Sequence, residues 1–197
     1  MSKVYGTIAA YAPIREERTR TVASYDLQAT TPDGSPSGNA TVPDGSPSGN
    51  ATWHEVYFNH RRSGRPTLAQ VKAAIIADIN ARTDERILTG FSWNGKPVWL
   101  SQENQFNYKA AYDLALQTDG QSLPVKFKLG EDADGLPVYH TFTALTSFTD
   151  FYTRAIAFIN QCLNDGWAMK DGMDWTPYAE AFSSIAGADS PEAAAGA

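Results

Sequence analysis

Asn94 and Gly95 stand between two short runs of alternating apolar residues, and they constrain the fold more than any other feature of the sequence. An Asn-Gly pair in this setting is the strongest short-range signal for a two-residue type I′ hairpin turn. The turn fixes which residues pair across the two strands, so the apolar side chains share one face. That face carries Phe91, Trp93 and Val98.

The opposite face of this hairpin carries Pro97 and Trp99. Proline has no backbone N–H to donate, so its strand belongs at the edge of a sheet. An unpaired edge is a place where a strand from another chain can add. The segment therefore predicts a fixed register and an edge that a partner can approach.

An 11-residue repeat occupies residues 31–52, where TPDGSPSGNAT is followed directly by VPDGSPSGNAT. Its Pro, Asp, Gly, Ser and Asn residues favour turns, and nothing in it can form a core. The flanking segments 21–30 and 51–59 alternate apolar and polar residues and predict two strands. We interpret the repeat as the long flexible tip of the hairpin that these strands form. Closing a longer loop costs only about 0.6 kcal/mol per doubling, so such a tip tolerates insertion.

The run that follows residue 66 predicts an amphipathic helix. Thr67 and Gln70 have the spacing of a capping box, and Gly90 can end the helix. Apolar residues at helical spacing are Leu68, Val71, Ile75 and Ile79. The polar side, which we expect to face solvent, carries Lys72, Asp78, Arg82 and Glu85.

Two further helices and two further strands are predicted in the second half of the chain. Ser101 is a suitable N-cap for one helix, which Gly120 ends. The other helix begins at Thr146 and runs to about Asp165, with Gly166 as its stop.

Between these helices, residues 124–130 and 136–142 alternate apolar and polar side chains and predict a pair of strands. The connecting residues EDADG indicate a turn, because the loop lacks the ligand that a calcium loop needs at its twelfth position. Residues 183–197 are small and nearly free of bulky apolar groups, which predicts a disordered tail.

These elements predict an α+β fold, in which antiparallel β-hairpins pack with about three amphipathic helices. We divide the chain into an N-terminal hairpin region at 1–62, an α+β domain at 63–178 and the tail at 183–197. A chain of 197 residues can bury roughly two thirds of its unfolded surface in one core.

Composition and charge exclude several classes of partner. The 22 acidic and 16 basic residues give a net charge of -6, which offers no long-range attraction to phosphates or anionic lipid. No run approaches the roughly 18 to 20 apolar residues that cross a bilayer, and the N-terminus lacks a signal-peptide pattern. We therefore expect neither a nucleic acid nor a membrane partner. Cys162, the single cysteine, is expected to be a buried hydrophobe.

Motifs for chemistry are missing from the sequence. His54 and His60 have no carboxylate or cysteine at ligand spacing, so they read as ordinary strand histidines. No G-x-S-x-G, P-loop, dinucleotide fingerprint or C-x-x-C motif is present. We expect no catalytic residue, no cofactor and no metal.

Five tryptophans exceed what a core of this size requires, and we expect some of them to reach the surface. Packing in the core is the alternative for each of them. Aromatic residues are enriched at protein interfaces, and those in the predicted hairpins are the best placed. We predict a protein-contact surface made of Trp53, Tyr57, Trp93, Asn94, Gly95 and Trp99.

The order of elements over residues 79–175 resembles a known family. A helix ending in RTDERIL is followed by GFSWNGKPVW, a Gln- and Asn-rich helix start, a hairpin, a long aromatic helix and the closing GWAMKDGMDW. This resembles a domain of unknown function that is common in small proteins encoded in phage tail regions and prophages, often beside tail-fibre genes. The resemblance covers about half of the chain and includes no catalytic signature.

The resemblance implies a phage tail fibre or another tail protein as the partner. It also implies that the chain is an accessory protein of tail-fibre assembly, similar to a chaperone, which acts in the host bacterial cytoplasm. The alternative is a structural component of the virion tail or baseplate. A carbohydrate-active enzyme is the least favoured interpretation, because it needs two placed carboxylates. Homo-oligomerisation is left open.

Overall fold

The structure, a computed structural model, describes residues 2–30 and 49–188. The chain divides into two compact units, one of Met1–Asp78 with Met173–Ala197 and the other of Ile79–Gly172. The boundary falls inside a long helix, so it does not coincide with the predicted division after residue 62. Helices and antiparallel strands are both present, which confirms the α+β class.

A four-stranded antiparallel sheet forms the first unit with its helices. Its strands are β1 (Ser2–Thr7), β2 (Ile14–Glu17), β3 (Arg20–Thr30) and β4 (Asn50–Asn59). Their spatial order is β1-β4-β3-β2. The pairing of β3 with β4 confirms the predicted hairpin, with Ala23 opposite Val56. The two outer strands were missed because neither shows a clear alternation of apolar and polar residues.

The predicted repeat loop needs one correction. Residues 31–48 lie outside the described part of the chain, but the end of the second copy belongs to β4. There Asn50 lies opposite Thr30, and Ala51 opposite Ala29. The strand pairing therefore continues into the repeat, because its last residues meet partners on β3 that complete the ladder.

Three helices contribute to the first unit: α1 (His60–Ser63), the start of α2 (Leu68–Thr89) and α5 (Thr176–Ala188). The predicted capping box at α2 is confirmed. The Thr67 N–H donates to Gln70 Oε1 at 2.7 Å, and the Gln70 N–H donates to Thr67 Oγ1 at 3.3 Å.

Helix α5 corrects part of the predicted disordered tail, because residues 183–188 are helical. Its alanines favour helix, and Tyr178 anchors it by donating from its hydroxyl to the Ser24 carbonyl at 2.7 Å. Tyr178 is itself only 3% exposed. The remainder of the predicted tail, 189–197, lies outside the described residues.

Asp78 of α2 was expected to face solvent, and this expectation is wrong. The side chain is buried and accepts a hydrogen bond from the hydroxyl of Tyr25 on β3. The hydroxyl makes the burial of this side chain tolerable, because a buried polar group needs a hydrogen-bond partner. The apolar part of this core includes Val22, Ala23, Val56, Val71 and Ile75.

The second unit contains two β-hairpins and three helical segments. Its core is rich in aromatic residues, with Tyr108, Phe142, Phe148 and Phe151 all buried. The elements after α2 are β5 (Phe91–Trp93), β6 (Lys96–Val98), α3 (Gln102–Gln117), β7 (Val125–Glu131), β8 (Pro137–Phe142) and α4 (Leu145–Asp171).

The β5-β6 hairpin has the predicted register and turn. Phe91 lies opposite Val98, and Trp93 lies opposite Lys96. Asn94 and Gly95 have φ values of 49° and 73°, as a type I′ turn requires. The apolar face is buried, so the local turn signal determined the orientation of this segment.

The second hairpin and the start of α3 also agree with the sequence. Ser101 caps α3, since its Oγ accepts from the Asn104 N–H at 3.2 Å. Between β7 and β8, Asp132 Oδ1 accepts from the backbone N–H groups of Asp134 and Leu136 at 3.0 and 2.9 Å. The carboxylate thus stabilises a turn, as predicted.

Helix α4 does not stop at Gly166, which corrects the predicted end. The helix continues to Asp171, and Gly166 is buried within it, more than one turn before its end. A Cβ atom at this position would lie 2.5 Å from Oγ1 of Thr83 on α2. The glycine is therefore required by the close approach of two helices rather than by a helix end.

Replacing Gly166 with alanine should lower the free energy of unfolding by about 1–2 kcal/mol, because the methyl group overpacks against Thr83. Urea denaturation measures this change. In a Thr83→Ala background the same replacement should raise the free energy of unfolding by about 1 kcal/mol, since alanine is the better helix former. The same sign in both backgrounds would show that the contact with Thr83 does not select the glycine.

Within the described ranges, no helix is long and apolar enough to span a bilayer. Cys162 lies on α4 and is buried, as predicted. Burial raises the pKa of its thiol above the usual value. The thiol is thus poorly suited to act as a nucleophile, because only the thiolate reacts readily.

Candidate functional site

The six residues predicted to contact a partner fall in both units of the chain. Trp53 and Tyr57 lie on β4. The other four lie on the β5-β6 hairpin or, for Trp99, directly after it. Tyr57 is 40% exposed, whereas Trp53 and Trp93 are 3% and 4% exposed. Asn94 and Gly95 are exposed at the turn, and Trp99 is partly buried.

Trp53 belongs to the core of the first unit, which corrects its predicted place on a contact surface. Its indole N–H donates to Glu55 Oε1 at 2.9 Å. The ring of Tyr11 meets the indole edge-on, with ring centroids 5.9 Å apart. Gly6 on β1 leaves room for the indole, because a Cβ atom there would overlap it.

Glu55 is the centre of a hydrogen-bonded cluster that the sequence did not predict. Besides the bond from Trp53, its carboxylate accepts from the Tyr57 hydroxyl at 2.6 Å and from the Arg15 guanidinium at 3.4 Å. We call these four residues the Glu55 cluster. The available signal was the alternation of positions 53, 55 and 57, which places two aromatic donors on the same face as the carboxylate.

Burial alone would raise the pKa of Glu55, since it disfavours the charged form. The hydrogen bonds from Tyr57 and Trp53, together with the charge of Arg15, outweigh burial and hold the pKa below its ordinary value. The carboxylate is therefore ionised and fully engaged within the fold. This cluster stabilises the sheet, and its donors are committed to Glu55.

Trp93 belongs to the core of the second unit, which is a second correction. Its indole N–H donates to Asp150 Oδ2 on α4 at 2.9 Å. The ring packs against His140, Phe142 and Phe151, with centroids 4.9 to 5.5 Å away. The predicted register explains this burial, because the face shared with Phe91 and Val98 is the inner one.

Trp99 keeps part of its ring exposed. Its backbone N–H donates to the Leu129 carbonyl at 2.7 Å, which fixes the residue beside β7. The Nζ atom of Lys128 lies 5.3 Å from the centre of the indole ring. Trp99, with the exposed turn and Tyr57, is therefore accessible, and a contact role for these residues stays a prediction.

The second unit also has a groove beside α2 and α4, which sequence reasoning missed. It consists of two adjoining pockets of about 410 and 230 Å³ that share Asp84 and Leu163. We call it the Trp167 groove. Its apolar lining comprises Ile87, Leu88, Leu100, Ile159, Leu163 and Trp167.

Helical periodicity explains why the α4 residues that line the Trp167 groove lie on one side of the helix. Ile159, Leu163 and Trp167 recur every four residues along one side of α4, so they form a continuous stripe. Trp167 is 53% exposed and Leu88 on α2 is 40% exposed. The sequence signal was this spacing of apolar residues beyond the predicted helix end at residue 166.

The rim of the Trp167 groove is polar and mostly uncharged. Ser101, Gln102 and Gln105 from the start of α3 border the larger pocket. At the smaller pocket, Lys170 Nζ donates to Asn80 Oδ1 at 2.8 Å, so this lysine is engaged by its neighbour. An apolar floor with a polar rim is the usual composition of a protein-binding site.

Potential metal ligands are dispersed in the described part of the chain, where no group of three or more His, Cys, Asp or Glu side chains could hold an ion. His60 lies at the start of α1 and contacts the Thr21 hydroxyl at 2.8 Å. His54 lies on β4 with its Nε2 3.8 Å from Asp26 Oδ2.

Comparison with known proteins identifies one family. Residues 70–188 match the model of the family described as "Domain of unknown function (DUF4376)". The match is wider than the resemblance seen in the sequence, since it includes nearly all of α2 and reaches the end of α5. Neither the curated proteins nor the solved structures yielded a match.

Proposed function

This chain belongs to the DUF4376 family, and we propose that it is a non-enzymatic protein that acts by binding another protein. The observation that carries this proposal is the Trp167 groove. Its lining lies wholly within the residues that define the family match. A surface in this position is available to serve a function that the family shares.

The groove suits protein binding because it exposes large apolar side chains in a concave site. Trp167 exposes about half of its surface, and Leu88 on α2 is 40% exposed. Tryptophan is among the residues that contribute most to binding energy at interfaces, above all where neighbouring groups exclude water. A partner that covers Trp167 would also cover Ile159 and Leu163, which line the same side of α4.

The form of the groove favours a partner segment with apolar side chains on one side. Two helices border the groove along its length, and the wall at its larger end comes from the start of α3. An amphipathic helix laid in such a groove buries its apolar face there and leaves its polar face in water. We infer that the partner presents a helix of this kind.

The partner that we propose is a phage tail fibre or another tail protein. Support comes from the resemblance of residues 79–175 to small proteins encoded in phage tail regions. In this proposal the chain is an accessory protein of tail-fibre assembly, similar to a chaperone, and works in the host bacterial cytoplasm. The runner-up is a structural component that remains in the tail or baseplate.

Co-expression with the neighbouring fibre gene tests this proposal. Mass spectrometry would then be applied to the soluble complex and to purified phage particles. A complex with the fibre and absence from the particle supports the assembly role. Stoichiometric presence in the particle supports the structural component instead. Absence from both would contradict the tail assignment.

The role of the groove is tested by Trp167→Ala, which should weaken binding of the co-purified fibre at least about tenfold, because it removes the largest apolar contact. Titration calorimetry measures the affinity. The matched control is Leu136→Ala, which truncates a residue that is 60% exposed on the β7-β8 turn. Equal affinities for both variants and the unchanged protein would exclude the groove as the contact.

A further inference from the structure

The outer face of the β7-β8 hairpin carries a second surface, separate from the Trp167 groove. Lys126 and Lys128 alternate along β7 with residues that face the core, and both lysines are exposed. On β8, Tyr139 lies directly opposite Lys128 and is 49% exposed. Trp99 lies on the other side of β7, held by its bond to Leu129.

These residues form an alternating row of aromatic rings and ammonium groups. Lys126 Nζ lies 4.6 Å from the ring centre of Tyr139, and Lys128 Nζ lies 5.3 Å from that of Trp99. Both distances are within the range of a cation–π contact. We call Trp99, Lys126, Lys128 and Tyr139 the lysine–aromatic strip.

The rings fix each lysine on the sheet without neutralising it. A cation–π contact uses one side of the ammonium, so N–H donors remain for an anion. Lys128 already binds a carboxylate in this way, because its Nζ lies 2.8 Å from Glu131 Oε1. Lys126 has no carboxylate within ion-pair distance in the described ranges.

We propose that the lysine–aromatic strip binds an extended acidic segment of a partner protein. The two lysines are two residues apart on one strand, which separates them by about 6.6 Å along its direction. Alternate side chains of an extended peptide have the same separation, so two carboxylates can meet two ammonium groups. The aromatic rings contribute apolar surface for the side chains or backbone between the carboxylates.

Charge complementarity favours an acidic partner. The chain as a whole carries a net charge of -6, so an acidic segment is repelled by much of its surface. The charge at the strip is locally positive, because two lysines lie beside one carboxylate, that of Glu131. Such a contrast orients an acidic segment toward the strip and away from the rest of the molecule.

A protein segment fits this strip better than a nucleic acid does. A nucleic acid requires several basic residues along a track of phosphates, whereas the strip offers two lysines. A single-stranded nucleic acid would also stack bases on open ring faces, but a lysine occupies one face of each ring in the strip.

Binding of a fluorescein-labelled peptide of alternating glutamate and threonine, measured by fluorescence anisotropy at low ionic strength, tests this proposal. Lys126→Gln should weaken binding by up to about fivefold, the range expected for one exposed ion pair. Glu131→Gln should strengthen binding, because the peptide no longer competes with this carboxylate for Lys128. Lys109→Gln on α3 is the matched control and should have no effect.

Three results would overturn the proposal. One is equal binding by the unchanged protein and the Lys126→Gln and Lys128→Gln double variant. Another is equal binding of a peptide in which glutamine replaces glutamate. The third is tighter binding of a single-stranded thymidine oligonucleotide, which would favour a nucleic acid. Trp167→Ala should leave peptide binding unchanged, so failure of the groove and failure of the strip are distinguishable.

Discussion

Glu55→Ala is expected to lower the free energy of unfolding by about 2–4 kcal/mol. The Glu55 side chain is 5% exposed and accepts hydrogen bonds from Trp53, Tyr57 and Arg15. Its removal leaves the buried indole N–H of Trp53 without an acceptor and opens a cavity beside it. Tyr57 and Arg15 are partly exposed and can bind water instead, which limits the loss. Urea denaturation followed by tryptophan fluorescence measures the change.

Glu17→Ala is the matched control for this prediction. Glu17 lies on β2, its carboxylate contacts Arg15 and Arg20, and its side chain is 33% exposed. A partly exposed ion pair of this kind contributes little to stability, because solvent screens it. If both variants lost the same small amount, the burial of Glu55 would not be what stabilises the sheet.

The dependence of stability on pH gives the Glu55 prediction a second measurement. The folded state holds the pKa of Glu55 below the ordinary value of about 4.5. A depressed pKa contributes stability above the unfolded value and loses it as the pH falls through the folded value. The free energy of unfolding should therefore fall less steeply below about pH 4.5 in Glu55→Gln than in the unchanged protein.

Features governed by neighbouring residues could be predicted from the sequence. The Asn94-Gly95 turn, the capping box of Thr67 and Gln70, and the Ser101 cap all depend on contacts within a few residues. The backbone geometry that these residues favour is the same in a peptide as in the folded chain. The Asn94-Gly95 turn also sets the strand register of its hairpin, and the register determines which side chains face inward.

Features governed by contacts between distant elements could not be predicted in the same way. Gly166 has the local signature of a helix stop, yet its environment is set by Thr83 on another helix. Asp78 has the spacing of a solvent-facing residue, yet the hydroxyl of Tyr25 reaches it across the core. In both cases a partner more than fifty positions away decides the outcome.

The candidate site also depends on contacts between elements that are distant in the sequence. The Trp167 groove combines side chains from α2, from the start of α3 and from α4, so no single segment contains its pattern. Most of the predicted contact residues were aromatic residues in hairpins. The apolar character on which the choice of Trp53 and Trp93 rested is also the reason that both are buried. The lysine–aromatic strip combines Trp99 with residues of two further strands.

Trp93→Ala is expected to lower the free energy of unfolding by about 3–5 kcal/mol, the usual range for removing a buried aromatic side chain. The residue is 4% exposed and packs against three aromatic or imidazole rings. Its loss would also leave Asp150 without the indole N–H that helps hold the pKa of that carboxyl below its usual value. Thermal and urea denaturation measure the change.

Trp99→Ala, on the same hairpin, is the comparison that separates core packing from partner contact. Trp99 is partly exposed, so its truncation should cost less than about 2 kcal/mol and leave the fold intact. A Trp93→Ala variant that stayed equally stable but lost partner binding would return Trp93 to the contact surface. The expected order, a large loss at Trp93 and a small one at Trp99, follows from the two faces that the Asn94-Gly95 turn creates.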